Sequence, residues 1–241
     1  MYAFHDDIEL KETLRVRLET DLARDAIVSG ETAWHDDRGS LAGSLVRSAV
    51  LSDGPERIGI PESVLALLDH FGSRSYDGLV PINDLARRFM DATRPGADLD
   101  GVPVALIGRM ADAFGDSVHR EPDAPRYIRE FSALIATRDD SPDHLKAVFD
   151  QWLDARSREA MRAIGWSDAQ EARAQEILNR LWDETESQRR AGQYPSYPDL
   201  FAQADPDMAA GYRRGLEALN HSYAADTALL ADWFIELVRA A

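Results

Sequence analysis

A stripe of leucines near the start of the chain constrains its fold more than any other sequence feature. Leu10, Leu14, Leu18, Leu22 and Ala26 recur at intervals of four residues. An α-helix turns such residues to one side, whereas a half-buried strand would need apolar residues at every second position. The spacing therefore predicts an amphipathic helix over residues 6–28. A similar spacing recurs in Leu145, Val148, Phe149, Trp152 and Leu153, and again in Ile177, Leu178, Leu181 and Trp182.

Start and stop signals predict further helices along the chain. Ser141-Pro142, Asp205-Pro206, and Ser167 followed three residues later by Gln170 are typical helix starts. Turn-forming residues at 52–55 and 94–98 interrupt the helical pattern. Helices are accordingly predicted at about residues 40–51, 61–71, 83–93, 102–115, 142–164 and 168–191, with a short extended piece at 78–82 and either one kinked helix or two consecutive helices from Met208 to Val238.

These elements predict an all-α fold, an irregular multi-helix bundle with long antiparallel helices in the C-terminal half. A chain of 241 residues is long enough to bury an apolar core. We therefore expect a single helical domain over residues 1–241. A candidate subdomain boundary lies near 94–101, where Arg94-Pro95-Gly96-Ala97-Asp98 breaks the helical pattern.

Residue types that the chain lacks exclude several kinds of site. The sequence contains no cysteine, which rules out disulfides, thiolate metal sites and thiol nucleophiles. No apolar run approaches the roughly 20 residues of a membrane span. The first residues are acidic and lack the basic and apolar regions of a signal peptide. We therefore expect a cytoplasmic protein.

The balance of charge favours some partners over others. The chain carries 43 acidic and 27 basic residues, a formal net charge of -16. Such a field repels nucleic-acid phosphates and anionic lipid headgroups and attracts basic protein surfaces. Direct nucleic-acid or membrane binding is therefore disfavoured, and a basic protein partner is expected. Nearly all of the basic residues are arginines, a skew that is typical of high-GC coding and indicates a bacterial or phage origin.

An aromatic residue followed by His-Asp-Asp occurs twice, as Phe4-His5-Asp6-Asp7 and as Trp34-His35-Asp36-Asp37. Adjacent His and Asp side chains at a helix end can both ligate one divalent metal ion. In these dipeptides alone the chain resembles helical His-Asp metallophosphohydrolases, and the resemblance implies a metal site that includes His5, His35 and Asp36. The interpretation we favour is that both aspartate pairs cap helix N-termini, where carboxylates accept unpaired N–H groups.

A second acidic cluster precedes the helix predicted at 142–164. Asp139, Asp140 and Asp143 have the acid spacing with which isoprenoid synthases hold magnesium on a diphosphate. In the hydrolase interpretation, Asp139 or Asp140 joins His5, His35 and Asp36 in the metal site. A helix start explains the same residues without a ligand, because Ser141 is suited to the cap and Pro142 to the first helical position.

The function that requires the fewest additional assumptions about chemistry is a non-enzymatic one. The chain would then be a protein-binding or regulatory protein whose acidic helical surface contacts a basic partner. No cofactor is expected. The alternative is a metal-dependent hydrolase that acts on a phosphate-containing small molecule, with a divalent ion held by His5, His35, Asp36 and either Asp139 or Asp140. The hydrolase requires the two His-Asp-Asp sequences to converge in space, whereas capping predicts separate helix ends.

Overall fold

The fold is all-α, as predicted from the helical spacing. The structure is a computed structural model that describes residues 2–28, 34–73, 81–114, 126–137, 139, 141–190, 193 and 196–241. Within these ranges it contains twelve α-helices and one two-stranded hairpin. The chain divides into two units, Met1–Leu153 with Ala225–Ala241, and Asp154–Ala224. The boundary predicted near 94–101 lies inside the first unit.

The first unit contains the shorter helices and the hairpin. Its first helix ends at Ala23, earlier than predicted. The helix predicted at 40–51 is present but ends already at Val46, and a 3₁₀ turn at Leu51–Asp53 leads into a further short helix. This short helix begins at Gly54-Pro55, where the sequence had predicted a break. The elements in chain order are α1 Ile8–Ala23, β1 Trp34–His35, β2 Arg38–Gly39, α2 Leu41–Val46, α3 Gly54–Ile58, α4 Glu62–Ser73, α5 Ile82–Ala92, α6 Val102–Phe114 and α7 Arg126–Ile135.

Long helices lie in the C-terminal half, as predicted, and two short helices precede the last of them. The last of them is one continuous helix of 35 residues, which decides between the one-helix and two-helix alternatives. No described helix is both long and apolar enough to cross a membrane. The elements are α8 Pro142–Ala163, α9 Asp168–Glu184, α10 Glu186–Arg190, α11 Tyr197–Ala204 and α12 Pro206–Ala240.

Aromatic rings lie at the centre of the first unit. Phe71 packs edge-on against Phe149, with ring centroids 5.5 Å apart, and lies 5.6 Å from Phe234. Phe89 stacks on Phe234 at 5.9 Å. All four side chains are almost fully buried. Residues far apart in sequence thus share one core, which fixes α4, α5, α8 and the end of α12 around it.

A second, smaller core lies within Asp154–Ala224. The Phe201 and Tyr212 rings stack at 3.9 Å between centroids, and Trp166, Ile177 and Leu181 complete the buried cluster. The stripe predicted on α9 is therefore confirmed at Ile177 and Leu181. It is wrong at Trp182, which is 53% exposed and lies under the Arg189 guanidinium instead of in the core.

Candidate functional site

The second His-Asp-Asp sequence forms a tight β-hairpin. Strands β1 and β2 pair antiparallel, with Trp34 opposite Gly39, and Asp36 and Asp37 form the two-residue loop between them. Both loop residues have positive φ, 48° and 61°, the arrangement of a type I′ turn. Asp36 and Asp37 therefore cap no helix, and the capping prediction is wrong for this pair.

A third aspartate lies beside this loop. Asp25 follows the end of α1 and also has a positive φ, 51°. The next residues are tied to the hairpin by two backbone hydrogen bonds, from Val28 N–H to Gly39 O (2.9 Å) and from Gly39 N–H to Ala26 O (3.0 Å). These bonds hold the end of α1 and the hairpin loop side by side.

Asp25, Asp36 and Asp37 line one shallow depression together with Arg24 and Arg38. We refer to the three aspartates as the acidic turn cluster. All three side chains are exposed. Each occupies a left-handed backbone conformation in which glycine or asparagine is usually less strained.

A charge network around one buried carboxylate adjoins the depression and shares Arg24 with it. Asp21 on α1 is fully buried and accepts hydrogen bonds from Arg24 (2.8 Å) and Arg47 (2.5 Å). The Arg47 guanidinium also lies 4.0 Å above the Trp34 ring. Burial and the neighbouring Arg47 charge lower the pKa of Arg17 below its usual value. Arg24 and Arg47 thus donate hydrogen bonds to the buried Asp21 carboxylate, whereas the carboxylates of the acidic turn cluster are exposed to solvent.

His35, opposite Arg38 in the hairpin, is a further polar side chain at its tip. Its Nε2 lies 3.4 Å from Asp36 Oδ2, and both side chains are almost wholly exposed, at 88% and 89%. The sequence-based metal site therefore has two of its candidate ligands, His35 and Asp36, in contact with each other.

The remaining candidate ligands lie on other elements. His5 is in the N-terminal 3₁₀ turn, and its Nε2 lies 2.9 Å from Glu56 O. Asp139 precedes α8 and accepts hydrogen bonds from the Ser141 backbone N–H (2.9 Å) and hydroxyl (3.0 Å). These bonds lower the pKa of Asp139. Asp140 lies outside the described residues.

In the part of the chain that the structure describes, no three His, Asp or Glu side chains come close enough together to hold a metal ion. The described residues thus give no support to convergence of the two His-Asp-Asp sequences, and the metal site stays a prediction. Capping is confirmed for the first sequence at Asp7, whose side chain accepts from Glu9 N–H (2.8 Å) and Leu10 N–H (3.1 Å) at the start of α1.

Sequence reasoning singled out Asp36 but missed Asp25. The repeated His-Asp-Asp pattern marked Asp36, whereas Asp25 stands in an ordinary Arg-Asp-Ala sequence near a helix end. Asp25 belongs to the acidic turn cluster only because backbone hydrogen bonds hold the end of α1 beside the hairpin. No local pattern signals such bonds.

Comparison with family models, with curated proteins and with solved structures finds no match for this chain.

Proposed function

We propose that this chain functions by binding a basic protein segment at the acidic turn cluster, without catalysis of its own. The observation that carries the proposal is the placement of three exposed aspartates in left-handed conformations around one depression. Type I′ hairpin loops are most stable with Asn-Gly, so stability alone does not favour Asp36-Asp37. Departures from local preference concentrate at functional sites.

The charges around the cluster favour a cationic ligand. Arg24 and Arg47 donate hydrogen bonds to the buried Asp21 carboxylate. The lining of the depression therefore presents three exposed carboxylates against the one further guanidinium of Arg38. Lysine or arginine side chains of a partner meet exposed carboxylates with little rearrangement, because the backbone beneath them is fixed by the hydrogen bonds of the hairpin.

The charge of the whole chain supports the same partner class. A net charge of -16 attracts a basic protein from a distance and raises its rate of association. Exposed charges are screened within about 10 Å at 0.1 M salt. Binding through the cluster should therefore weaken as salt is added, chiefly through slower association.

A double substitution separates binding from folding. Asp36→Asn with Asp37→Gly installs the preferred type I′ loop and removes two carboxylates, so we expect a higher melting temperature. Binding of a short arginine-rich peptide, measured by fluorescence anisotropy, should weaken by about twofold to thirtyfold, because two exposed ion pairs are lost and each contributes about 0.2–1 kcal/mol. A glutamate-rich peptide of equal length should not bind.

The matched control removes the same charge elsewhere. Asp183→Asn with Glu184→Gln neutralises two exposed acids on α9 and leaves the cluster intact. If this variant loses as much peptide affinity as the hairpin variant, only net charge matters and the assignment to the cluster is wrong.

The hydrolase alternative requires the two His-Asp-Asp sequences to converge, and the observation in its favour among the described residues is the contact between His35 and Asp36. A tightly bound divalent ion would raise the melting temperature by mass action, and His35→Ala would abolish that rise. Titration of the protein, purified without chelator, with manganese, nickel or zinc tests this. If no metal shifts the melting temperature of the wild-type chain, the alternative loses its tight metal site.

A further inference from the structure

Helix α2 is buried along its whole length. All of its residues, Leu41–Val46, are shielded from solvent, so its first-turn N–H groups need acceptors from the protein. The Ser40 hydroxyl accepts the Gly43 N–H at 3.0 Å. Asp69, near the end of α4, accepts the Ala42 N–H through Oδ1 at 2.6 Å. The Asp69 carboxyl group thus ties the beginning of α2 to α4.

Strand β2 leads directly into this buried helix. The strand ends at Gly39, and the next residue is Ser40, which is only 4% exposed. We refer to residues 40–43 as the α2 start. Because the α2 start joins the hairpin to the helix, a change in its hydrogen bonds acts on both elements.

The second carboxyl oxygen of Asp69 is not compensated. Oδ2 is closed off from solvent and has no hydrogen-bond partner among the described residues. Removal from water disfavours the charged form of a carboxyl group, and burial raises the pKa of Asp69 from 3.8 to about 7. The nearby Ser40 hydroxyl and the Ala42 N–H oppose this rise in pKa only in part.

Charged groups on the surrounding elements do not neutralise Asp69. Helix α2 has no titratable side chain, and the ring of the neighbouring His70 packs against Phe71 and Phe149. Within the described residues, no charged side chain on the other elements that contact α4 forms an ion pair with Asp69. These side chains include Asp53, Glu56, Arg57, Arg109, Asp112, His144, Lys146, Asp150, Asp232 and Glu236.

We propose that Asp69 is a pH-sensitive switch, which holds the α2 start closed while its carboxyl group is protonated and lets it open locally once the proton is released to solvent. Local opening admits water to Oδ2 and so relieves the uncompensated charge. The inference goes beyond the proposed function and does not depend on it, because it concerns the segment after the hairpin and not the acidic turn cluster.

Amide hydrogen exchange of the whole chain measures this opening at the Ala42 N–H. The protection factor is the ratio of the intrinsic to the observed exchange rate. It should fall roughly hundredfold between pH 5 and pH 8, the ratio expected for a pKa of about 7 in the closed state and 3.8 in the open state. A protection factor that is constant over this range would overturn the switch.

Low concentrations of urea separate local opening from global unfolding. Local opening exposes little surface, so exchange at Ala42 should be nearly independent of urea well below the unfolding transition. Exchange at Phe89, in the buried face of α5, should increase steeply with urea. If exchange at Ala42 depends on urea as steeply as exchange at Phe89, the α2 start opens only by global unfolding and the proposal is wrong.

Two variants assign the pH dependence to one carboxyl group. Asp69→Asn keeps an acceptor for the Ala42 N–H but cannot ionise, so protection at Ala42 should be equal at pH 5 and pH 8. Glu62→Gln neutralises an exposed acid on the same helix and should retain the wild-type fall. Circular dichroism verifies that both variants are folded. A hundredfold fall that persists in the Asn variant would assign the pH dependence to another group and overturn the proposal.

Discussion

At the scale of single residues, the N-terminal turn is held in an uncommon backbone conformation by its neighbours. Phe4, His5 and Asp6 have φ values of 53°, 53° and 59°, which cost non-glycine residues roughly 1–2 kcal/mol each. The Phe4 side chain is fully buried, and Gly59 allows the turn to approach its backbone closely. Burial of the aromatic ring thus offsets local strain.

Gly59→Ala should destabilise the protein strongly. The added Cβ would lie 2.1 Å from Tyr2 O, and Gly59 has a φ of 66°, so both contact and conformation oppose the substitution. We expect the free energy of unfolding, measured by urea denaturation, to fall by more than about 2 kcal/mol.

Gly108→Ala is the control for that substitution. Its Cβ would meet nothing within 4 Å, and the residue lies inside α6. Alanine stabilises a helix interior by about 0.5–1 kcal/mol relative to glycine. Equal effects of the two substitutions would contradict the close approach at Gly59.

Asp69 should make stability depend on pH. Its Oδ1 accepts the Ala42 N–H at 2.6 Å, Oδ2 has no partner among the described residues, and burial raises the pKa of the carboxyl to about 7. The folded state therefore binds this proton more tightly than the unfolded state, in which the pKa has its ordinary value of 3.8. The contribution of Asp69 to stability falls as pH rises from about 4 to about 7 and is constant above that range.

The isosteric variant Asp69→Asn removes this titration and keeps an acceptor for Ala42 N–H. In urea unfolding across that pH range, the stability of the variant relative to the wild-type chain should increase with pH and level off near pH 7. A difference that is independent of pH would show that Asp69 titrates in the same range in both states.

At the scale of elements, helix starts follow the side-chain chemistry that the sequence predicts. Ser167 and Gln170 form a reciprocal capping box at the start of α9, with Ser167 N–H donating to Gln170 Oε1 at 2.9 Å. The Asp205 carboxylate accepts the Met208 N–H at 3.1 Å at the start of α12 and pairs with Arg173. The starts predicted at Ser167 and Asp205-Pro206 are confirmed, because capping depends on residues within one turn.

Ser167→Ala should lower the free energy of unfolding by about 1 kcal/mol, since it leaves a first-turn N–H of α9 without its side-chain acceptor. Thermal denaturation followed by circular dichroism measures the effect. Ser187→Ala, at an exposed position inside α10, should change stability by less than about 0.5 kcal/mol. A comparable loss from both variants would rule out a special role for the cap.

At the scale of the whole molecule, the core of the first unit is formed by residues distant in sequence. Phe234, near the end of α12, contacts Phe71 on α4 and Phe89 on α5. Ion pairs surround the same region, including Arg88 with Asp232 (2.5 Å) and Arg109 with Glu236 (2.7 Å). These exposed pairs contribute little individually, so we assign most of the stabilisation to the buried rings.

Phe234→Ala should lower the free energy of unfolding by about 3–5 kcal/mol relative to the wild-type chain, because the substitution removes a buried ring and leaves a cavity. Leu229→Ala changes a 37% exposed side chain on the same helix and should cost less than half as much. Urea denaturation of both variants tests the comparison. Similar losses would mean that Phe234 is not central to the core.

The sequence by itself determined the helical class of the fold and most of the helices. Apolar spacing and capping residues act within one or two turns, so the helices predicted near 61–71, 83–93, 102–115 and 142–164 agree closely with α4, α5, α6 and α8. Burial was predictable for Phe149 and Trp152 on α8 for the same reason.

Only the tertiary structure decided the hairpin and the acidic turn cluster. Asp36 and Asp37 adopt positive φ because strand pairing closes a two-residue loop, and Asp25 joins them through bonds between the end of α1 and that hairpin. Trp182 continues an apolar stripe yet stays exposed, since the width of the buried face depends on which helices pack against it. Local spacing fixes helices, whereas contacts between distant residues decide which side chains share a site.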